Sequence, residues 1–287
     1  MTDDINEEQI KDTLGLNQLD QLNKEAEKKA EIIFNPEKLI NPELSEKVAK
    51  IMEYNSFVEG DAPLIKLIEV ANTWQGEGPN TGRQMLITRF KYCNRHCEFC
   101  DTWIKMKTST EGSYSIDDLN EALKKTKALM ITGGEPTMQT DKIHHFEHTL
   151  YMLRNCDYQL ANIETNGHMV EALIFEIVKL GLDQSKINII WSPKIFSESD
   201  YKIEKMRIGT IFSNPMVYVK IVADANEWST KFIRELSAQN YDRNKIYLMP
   251  LGVTKEEIAA HWNFCVDLAD ECNANISSRL HIMNDFV

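Results

Sequence analysis

The stretch MLITRFKYCNRHCEFC, residues 85–100, joins an apolar run of β-strand composition to three closely spaced cysteines. Cys93, Cys97 and Cys100 have the spacing CxxxCxxC. A closed structural zinc site or an ordinary electron-transfer cluster uses four protein ligands. A 4Fe-4S cluster held by three cysteines leaves one iron free to bind another molecule, so this spacing predicts chemistry at iron.

Two other interpretations of the cysteines are open. A structural zinc ion needs a fourth ligand, and His96 is the candidate, but it lies between two of the cysteines, where so short a loop can hardly close a tetrahedron. The cysteines could also be unrelated thiols. We favour the iron-sulfur cluster, with Phe99 as an apolar neighbour that excludes water from it.

An apolar run followed by a polar or glycine motif recurs along the chain. Such motifs begin near residues 93, 132, 164, 192, 222 and 250. Strands are predicted at 65–71, 85–90, 128–132, 159–164, 187–191, 217–222 and 246–249, and helices at 115–125, 141–154, 170–180, 227–237 and 255–271. The functional loops of parallel α/β folds gather at the carboxyl ends of the strands, so these motifs are expected to share one site. The predicted fold class is α/β, a partial (incomplete) TIM-like barrel of about six parallel βα units with a helical N-terminal extension.

The first 62 residues differ from the rest in charge and pattern. They have 7 basic and 15 acidic side chains. Their apolar residues have helical spacing, and helices are predicted to begin near Asn6, Leu19 and Asn41. We therefore expect an acidic helical N-terminal extension over residues 1–62 and a catalytic domain over residues 63–287.

Charge and composition exclude several classes of protein. The net charge of -12 argues against direct binding of nucleic acid, which depends on clustered lysines and arginines. The chain has no run of about 18 apolar residues, which predicts no membrane span, and its acidic start MTDD is unlike a signal peptide. Cys156, Cys265 and Cys272 are expected to be buried thiols in a reducing compartment. The predicted location is the cytoplasm.

Three histidines, His144, His145 and His148, are spaced like metal ligands on a helix. No acidic motif of a metalloprotease accompanies them. We expect them on a surface helix without a metal.

A second motif, TGGEP at residues 132–136, follows the predicted strand 128–132. Its glycines let the backbone approach a ligand closely, and its carboxylate can accept hydrogen bonds from an ammonium group. Alone, the motif could be a plain strand-to-helix turn. Together with the cysteines it resembles the radical S-adenosylmethionine superfamily, in which the amino and carboxylate groups of S-adenosylmethionine chelate the open iron. The resemblance implies cleavage of S-adenosylmethionine to a radical that abstracts hydrogen from the substrate.

A narrower resemblance rests on motifs on both sides of the cysteines. WQGEGPNTG at 74–82 and Arg89 come before them, and CDTW at 100–103, ETNG at 164–167 and SPK at 192–194 come after. In this order they resemble the 7-carboxy-7-deazaguanine synthase family, over about residues 65–287. The resemblance implies a lyase that converts 6-carboxy-5,6,7,8-tetrahydropterin to 7-carboxy-7-deazaguanine with loss of ammonia, in deazapurine or queuosine-type biosynthesis.

The same resemblance assigns cofactors and residues. It implies a 4Fe-4S cluster on the three cysteines, S-adenosylmethionine as cofactor, and Mg2+ on Thr102. The implied S-adenosylmethionine contacts are Phe99, Gly134, Glu135, Glu164, Asn166, Ser192, Pro193 and Lys194, and the implied substrate contacts are Trp74, Gln75, Gly76, Glu77, Arg89, Thr132 and Val287. No side chain is implied as catalytic, because the cluster and S-adenosylmethionine carry the radical chemistry. A flavodoxin- or ferredoxin-type electron donor and a homodimer are also implied.

Some of these residues have a second interpretation. The WQGEG segment could be only a hairpin between two strands, and Arg89 could form a surface ion pair. Lys194 could be a solvated loop lysine, and Val287 could lie in an unordered end.

Two rival functions stay open at the level of sequence. A glycyl-radical activating enzyme shares CxxxCxxC, but it acts on a glycine of another protein and gives no reason for QGEG, Arg89 and Thr102 to occur together. A non-catalytic iron-sulfur redox protein leaves the motifs at 133–135 and 192–194 without a purpose.

Overall fold

A mixed eight-stranded sheet forms the centre of the computed structural model, which describes residues 63–100, 102–239 and 241–284. The strands are β1 (Ile65–Leu67), β2 (Glu69–Trp74), β3 (Gln84–Phe90), β4 (Gly112–Tyr114), β5 (Ala128–Gly133), β6 (Leu160–Thr165), β7 (Ile187–Trp191), β8 (Val217–Ala223), β9 (Ile246–Pro250) and β10 (Asn275–Ile276). The α-helices are α1 (Thr102–Thr108), α2 (Ile116–Leu123), α3 (His145–Asn155), α4 (Val170–Lys179), α5 (Glu198–Phe212), α6 (Glu227–Ala238), α7 (Lys255–Cys272) and α8 (Leu280–Met283).

The strand order of the sheet is β10-β9-β8-β7-β6-β5-β3-β2. β2 is antiparallel to β3, and every other neighbouring pair is parallel. From β3 to β9 each strand is followed by a helix that returns the chain to the next parallel strand. Across the residues described, β2 and β10 do not pair, so the sheet stays open. The predicted α/β fold, a partial barrel of about six parallel βα units, is confirmed.

The core forms where apolar side chains of neighbouring strands lie in register under the helices. Ile131, Ile163, Ile189 and Val217 are successive partners across β5 to β8, and each is fully buried. Strands buried on both faces give the near-continuous apolar runs that identify them in the sequence. Cys156, Cys265 and Cys272 are buried in the same core, as predicted.

The predicted strand at 65–71 is two strands. β1 pairs with β4 in a separate two-stranded sheet, and β2 begins after Ile68 and pairs with β3. The loop between β2 and β3 contains the QGEG motif, so this segment does connect two antiparallel strands.

The structure also contains elements that the sequence pattern did not predict: α1, β4, α5, β10 and α8. α5 was missed because its apolar residues do not form one continuous stripe. Its start was marked by Ser197, whose hydroxyl accepts a hydrogen bond from the backbone N–H of Asp200.

The helices predicted to begin near Asn6, Leu19 and Asn41 lie outside the described residues, so the division at residue 62 stays a prediction. In the part of the chain that is described, no helix is long and apolar enough to cross a membrane.

Candidate active site

A cavity of about 280 Å³ lies at the carboxyl ends of the parallel strands. Most predicted site residues line it: Trp74, Gln75, Gly76, Glu77, Arg89, Cys93, Cys97, Phe99, Cys100, Thr102, Thr132, Gly134, Glu164, Asn166, Ser192 and Lys194. Glu135 and Pro193 are buried and do not line it. Val287 lies outside the described residues. The topology therefore brings motifs more than 100 residues apart to one place.

The three cysteines lie on the loop between β3 and α1, and all three line the cavity. Burial raises the pKa of Cys93 and of Cys97, and the neighbouring thiols raise both further. Three thiols on one short loop are the donor set that an iron-sulfur cluster uses. Among the described residues, no three His, Cys, Asp or Glu side chains already converge at metal-binding distance. Binding of iron by these thiols would require each of them to lose its proton.

The two glycines of TGGEP pack against the strand that leads into the cysteine loop. The N–H of Gly134 donates to the carbonyl of Phe90 at 2.9 Å, and the N–H of Glu135 donates to that of Tyr92 at 2.8 Å. A Cβ on Gly134 would overlap the backbone of Tyr92, and Gly133 has a φ of +112°. The close approach that the glycines permit is thus to the protein's own backbone.

The Glu135 carboxylate is fully buried and faces the protein interior. One of its oxygens accepts hydrogen bonds from the N–H and hydroxyl of Thr137 and from the hydroxyl of Thr165, at 2.6 to 2.9 Å. The other accepts the N–H of Asn166 at 2.7 Å. Glu135 therefore connects the loop after β5 to the loop after β6.

The QGEG loop contacts α8 and the segment that precedes it. The N–H of Leu280 donates to the carbonyl of Gly76 at 3.0 Å, and a Cβ on Gly76 would overlap the His281 ring. The N–H of Gly78 donates to the Ser277 hydroxyl at 2.8 Å. This close contact requires the first glycine of QGEG.

A buried ion cluster at the cavity wall joins the QGEG loop, β6 and β8; we call Lys220, Glu77 and Glu164 the cavity cluster. The Lys220 ammonium donates to Oε2 of Glu77 at 2.7 Å and to Oε2 of Glu164 at 2.6 Å. Oε1 of Glu164 accepts from the Gln75 amide at 3.0 Å, and Oε1 of Glu77 accepts from Nε of Arg279 at 2.9 Å. Both predicted carboxylates are thus held by protein cations and amides.

Arg89 also lines the cavity and is oriented by its neighbours. Its Nε donates to Oε2 of Glu69 at 2.6 Å, and its Nη1 donates to the Thr102 hydroxyl at 3.0 Å. Glu69 accepts a second cation, Lys105, at 2.6 Å. Burial raises the pKa of Glu69, but the hydrogen bonds and charges of Lys105 and Arg89 outweigh burial and hold that pKa below its ordinary value. The arginine does form an ion pair, and it does so inside the cavity.

The motifs after β6 and β7 approach the cysteine loop. The Asn166 amide lies 3.7 Å from the Cys93 sulfur and donates to the Asn94 side chain at 2.8 Å. Lys194 donates to the Ser192 hydroxyl at 2.9 Å. Burial lowers the pKa of Lys194, although the nearby Cys97 raises it. Lys194 is therefore a cavity residue and not a solvated loop lysine.

A second buried ion cluster contacts the loop that contains Asn166. It consists of Arg207, Glu171 and Glu204, and we call it the core cluster. Arg207 contacts Glu171 through Nε and Nη2, at 2.8 and 2.7 Å, and Glu204 through Nη1 at 2.9 Å. Its Nη2 also donates to the carbonyl of Gly167 at 2.5 Å. These residues do not line the cavity.

Several cavity residues were not predicted from the sequence, among them Glu69, Lys105, Arg279 and His281. They lie outside the motifs, and the pairing of residues 77 and 279 across the chain has no local signal. The histidine prediction was wrong for His145, which is 5% exposed, stacks on Phe90 at 4.3 Å and has a ring nitrogen 2.9 Å from the carbonyl of Glu135.

Comparison with known proteins gives the family. The model of the Radical SAM superfamily matches residues 87–265. The chain is 32% identical to the 7-carboxy-7-deazaguanine synthase of Haemophilus influenzae, over 67% of this chain and 77% of that protein. It is 26% identical to the enzyme of that name from Halobacterium salinarum, over 78% and 91%.

A solved structure is also similar. The crystal structure of QueE from Escherichia coli matches with a TM-score of 0.49 and 20% identity, over 75% of this chain and 93% of that one. From the superfamily match and the identity to the Haemophilus influenzae protein, the chain belongs to the radical SAM superfamily and, within it, to the 7-carboxy-7-deazaguanine synthase family.

Proposed function

We propose that this protein is a 7-carboxy-7-deazaguanine synthase, a lyase that converts 6-carboxy-5,6,7,8-tetrahydropterin to 7-carboxy-7-deazaguanine with loss of ammonia. The observation that supports this best is the convergence of the QGEG loop and the strand-end motifs on one cavity beside the three cysteines. As a member of the superfamily, the protein uses a 4Fe-4S cluster and S-adenosylmethionine, which when bound supply a radical that abstracts hydrogen from the substrate. The protein must position the two reactants and exclude water.

Arg89 is proposed to bind the substrate carboxylate. Glu69 and Thr102 hold the Nε and Nη1 atoms of its guanidinium group, which fixes the plane of the group and leaves Nη2 for a carboxylate oxygen. We propose Thr102 as the protein ligand of a Mg2+ ion, with water and substrate oxygens completing the octahedron. Trp74, at 44% exposure, lies at the cavity edge.

The pterin is proposed to contact Gln75, Gly76, Glu77 and Thr132 as well, and Val287. Amide and carboxylate groups suit the mixed donors and acceptors of a pterin edge.

S-adenosylmethionine is proposed to lie against the loops that approach the cysteines. Asn166 and Glu164 offer amide and carboxylate groups to ribose hydroxyls, and Phe99, Gly134, Ser192 and Lys194 also line the cavity. Pro193 is proposed to hold Ser192 and Lys194 in place between them. Glu135 would contact the amine of S-adenosylmethionine only by giving up one of its present donors.

Further proposals concern partners and location. A flavodoxin- or ferredoxin-type protein would supply the electron, and the enzyme would act as a cytoplasmic homodimer. Residues 1–62 would form a helical extension to the catalytic domain at 63–287.

The test is turnover by anaerobically reconstituted protein. We expect 6-carboxy-5,6,7,8-tetrahydropterin, S-adenosylmethionine, reductant and Mg2+ to yield 7-carboxy-7-deazaguanine, detected by mass spectrometry. Cys97→Ala should abolish both product and the cluster absorbance, whereas Cys265→Ala, which removes a buried thiol outside the cavity, should keep both. Absence of product from protein with an intact cluster would refute the proposal.

Substrate binding is tested separately. Arg89→Gln should keep the cluster and lower kcat/KM for the pterin about 100-fold, equivalent to about 2.7 kcal/mol. The control is Arg83→Gln, which changes an exposed arginine one residue before β3 and should leave kcat/KM unchanged. If the two substitutions change kcat/KM equally, Arg89 does not bind the substrate.

A further inference from the structure

Lys220 projects from the middle of β8 into the wall of the cavity. Its neighbours in the strand, Val219 and Ile221, are buried in the core on the other face, because successive side chains of a strand alternate between faces. Lys220 itself is 5% exposed. A lysine with so little access to water needs charged partners on the protein.

Those partners come from one loop and one strand. Glu77 belongs to the QGEG loop between β2 and β3, and Glu164 lies in β6 at the start of the ETNG motif. One ammonium group contacts both carboxylates, at 2.7 and 2.6 Å, so it lies between them. The two carboxylates would repel each other at this separation without a cation.

The charge state of Lys220 limits its role. Burial lowers its pKa, but the charges and hydrogen bonds of Glu164 and Glu77 outweigh burial and raise that pKa above its ordinary value. The ammonium therefore stays protonated throughout the physiological range. The ammonium is bonded to both carboxylates, so its effect on ligands is assigned to the carboxylates that it holds.

Both carboxylates face ligands in the function proposed above. Both line the cavity, and in the proposed function Glu77 contacts the pterin and Glu164 contacts S-adenosylmethionine. The Gln75 amide extends the same contact, because it also donates to Glu164. Radical transfer between two bound molecules depends on their separation, and misplacement by about 1 Å costs about 100-fold in rate.

We propose that Lys220 is a positioning residue that fixes Glu77 and Glu164 relative to each other. It would thereby set the separation between the pterin, proposed to contact Glu77, and S-adenosylmethionine, proposed to contact Glu164. This inference rests on the proposed function. It predicts that removing the ammonium group impairs the use of both ligands and leaves the iron-sulfur cluster unaffected. It also predicts that less of the S-adenosylmethionine cleavage leads to product.

The experiment compares Lys220→Met with wild type in the cluster-loaded enzyme. We expect kcat/KM for the pterin to fall about 100-fold and KM for S-adenosylmethionine to rise about tenfold. We also expect the release of 5′-deoxyadenosine per molecule of 7-carboxy-7-deazaguanine to rise about tenfold, because radicals formed beside a misplaced pterin are lost. The cluster absorbance should match that of wild type.

The matched control is Lys205→Met on α5. Lys205 also has two partners, Glu235 at 2.9 Å and the Tyr201 hydroxyl at 3.3 Å, but it is half exposed and outside the cavity. It should leave all three kinetic quantities unchanged. Lys220→Arg keeps the positive charge on a longer, planar group and should restore part of the coupling, with a release ratio between those of wild type and Lys220→Met.

The outcomes separate the two proposals. A wild-type enzyme that makes no 7-carboxy-7-deazaguanine contradicts the proposed function. If wild type makes product and Lys220→Met loses activity with an unchanged release ratio, Lys220 has only a structural role and the inference fails. If Lys220→Met does not fold, Lys220→Arg is the test. The inference is then overturned if Lys220→Arg has the release ratio of wild type and the KM of wild type for both ligands.

Discussion

The cavity cluster and the core cluster have the same composition, one cation between two glutamates, in different surroundings. The cations are equally buried, with 7% of each side chain exposed. The glutamates of the cavity cluster are 12% and 13% exposed, whereas those of the core cluster are 2% and 3% exposed. The cavity cluster borders a space that admits water and ligands, and the core cluster does not.

The difference in exposure of the glutamates indicates that the two ion clusters have different roles. In the core cluster, all three nitrogens of the arginine side chain are engaged by carboxylates or by a backbone carbonyl, and no ligand can reach them. Its consequence for the site is indirect, because it holds the carbonyl of Gly167 next to Asn166. In the cavity cluster, the same arrangement positions two carboxylates that line the cavity. Mutations should therefore affect mainly stability in one cluster and mainly ligand coupling in the other.

The largest effect should come from removing the core cation. Arg207→Met leaves two carboxylates without a partner in a dry interior, and breaking such a pair typically costs about 3–5 kcal/mol. Lys220→Met should cost less than half as much, because water in the cavity can hydrate Glu77 and Glu164. The free energy of unfolding, measured by urea titration under anaerobic conditions, checks the order.

The control for this comparison is another arginine with two contacts to one glutamate. Arg234 bonds Glu271 at 2.7 and 3.0 Å, but both side chains are half exposed. Arg234→Met should cost far less than Arg207→Met, because both charges of this pair are hydrated. Equal losses of stability from Arg207→Met and Lys220→Met would show that exposure to the cavity does not distinguish the clusters.

A smaller effect is expected at the glycine that the core cluster holds. Gly167 has a φ of +94°, and a Cβ there would lie 2.5 Å from Nε1 of Trp191. Gly167→Ala should cost about 1–3 kcal/mol and raise KM for S-adenosylmethionine, because it displaces Asn166. Gly181→Ala is the control, since Gly181 has a φ of +63° with open space around its Cβ position. If both substitutions leave KM for S-adenosylmethionine unchanged, the core cluster does not support the site.

The sequence was enough to locate most of the framework on which both clusters are built. β7 begins and ends at the predicted residues, and the other core strands differ by one or two, because each is an apolar run between polar motifs. The motif residues were also brought together as predicted, since parallel strands end on one side of the sheet.

The partners of these residues could not be predicted. Lys220 and Glu77 are 143 residues apart, and Arg207 lies in α5, a helix that was not predicted. The direction in which Glu135 points depends on Thr137, Thr165 and Asn166 together, and no local pattern encodes that set. Local patterns thus predict where a side chain is attached, whereas its ion partners depend on tertiary packing.

The smallest expected effect is on how the free energy of unfolding depends on pH. Glu204 and Glu271 should contribute to this dependence with opposite signs. Burial raises the pKa of Glu204 above its ordinary value, although Arg207 opposes the change. Between the ordinary pKa of about 4.5 and the higher pKa of the folded state, the folded protein therefore holds a proton that the unfolded chain has released. The contribution of Glu204 to the free energy of unfolding should fall as the pH rises through this window. Glu204→Gln has no such proton, so its stability relative to wild type should improve over the same range.

Glu271, in the exposed pair with Arg234, gives the opposite sign. Its hydrogen bond to Arg234 lowers its pKa, so its contribution is present above the ordinary pKa and is lost as the pH falls through the lower pKa of the folded state. Relative to wild type, Glu271→Gln should therefore be less stable at neutral pH and equally stable in acid. Urea titrations of both variants from about pH 2 to pH 8 cover both windows and give the two slopes. If the slopes have the same sign, the carboxylates of the core cluster are not in a dry interior, and the contrast between the two clusters fails.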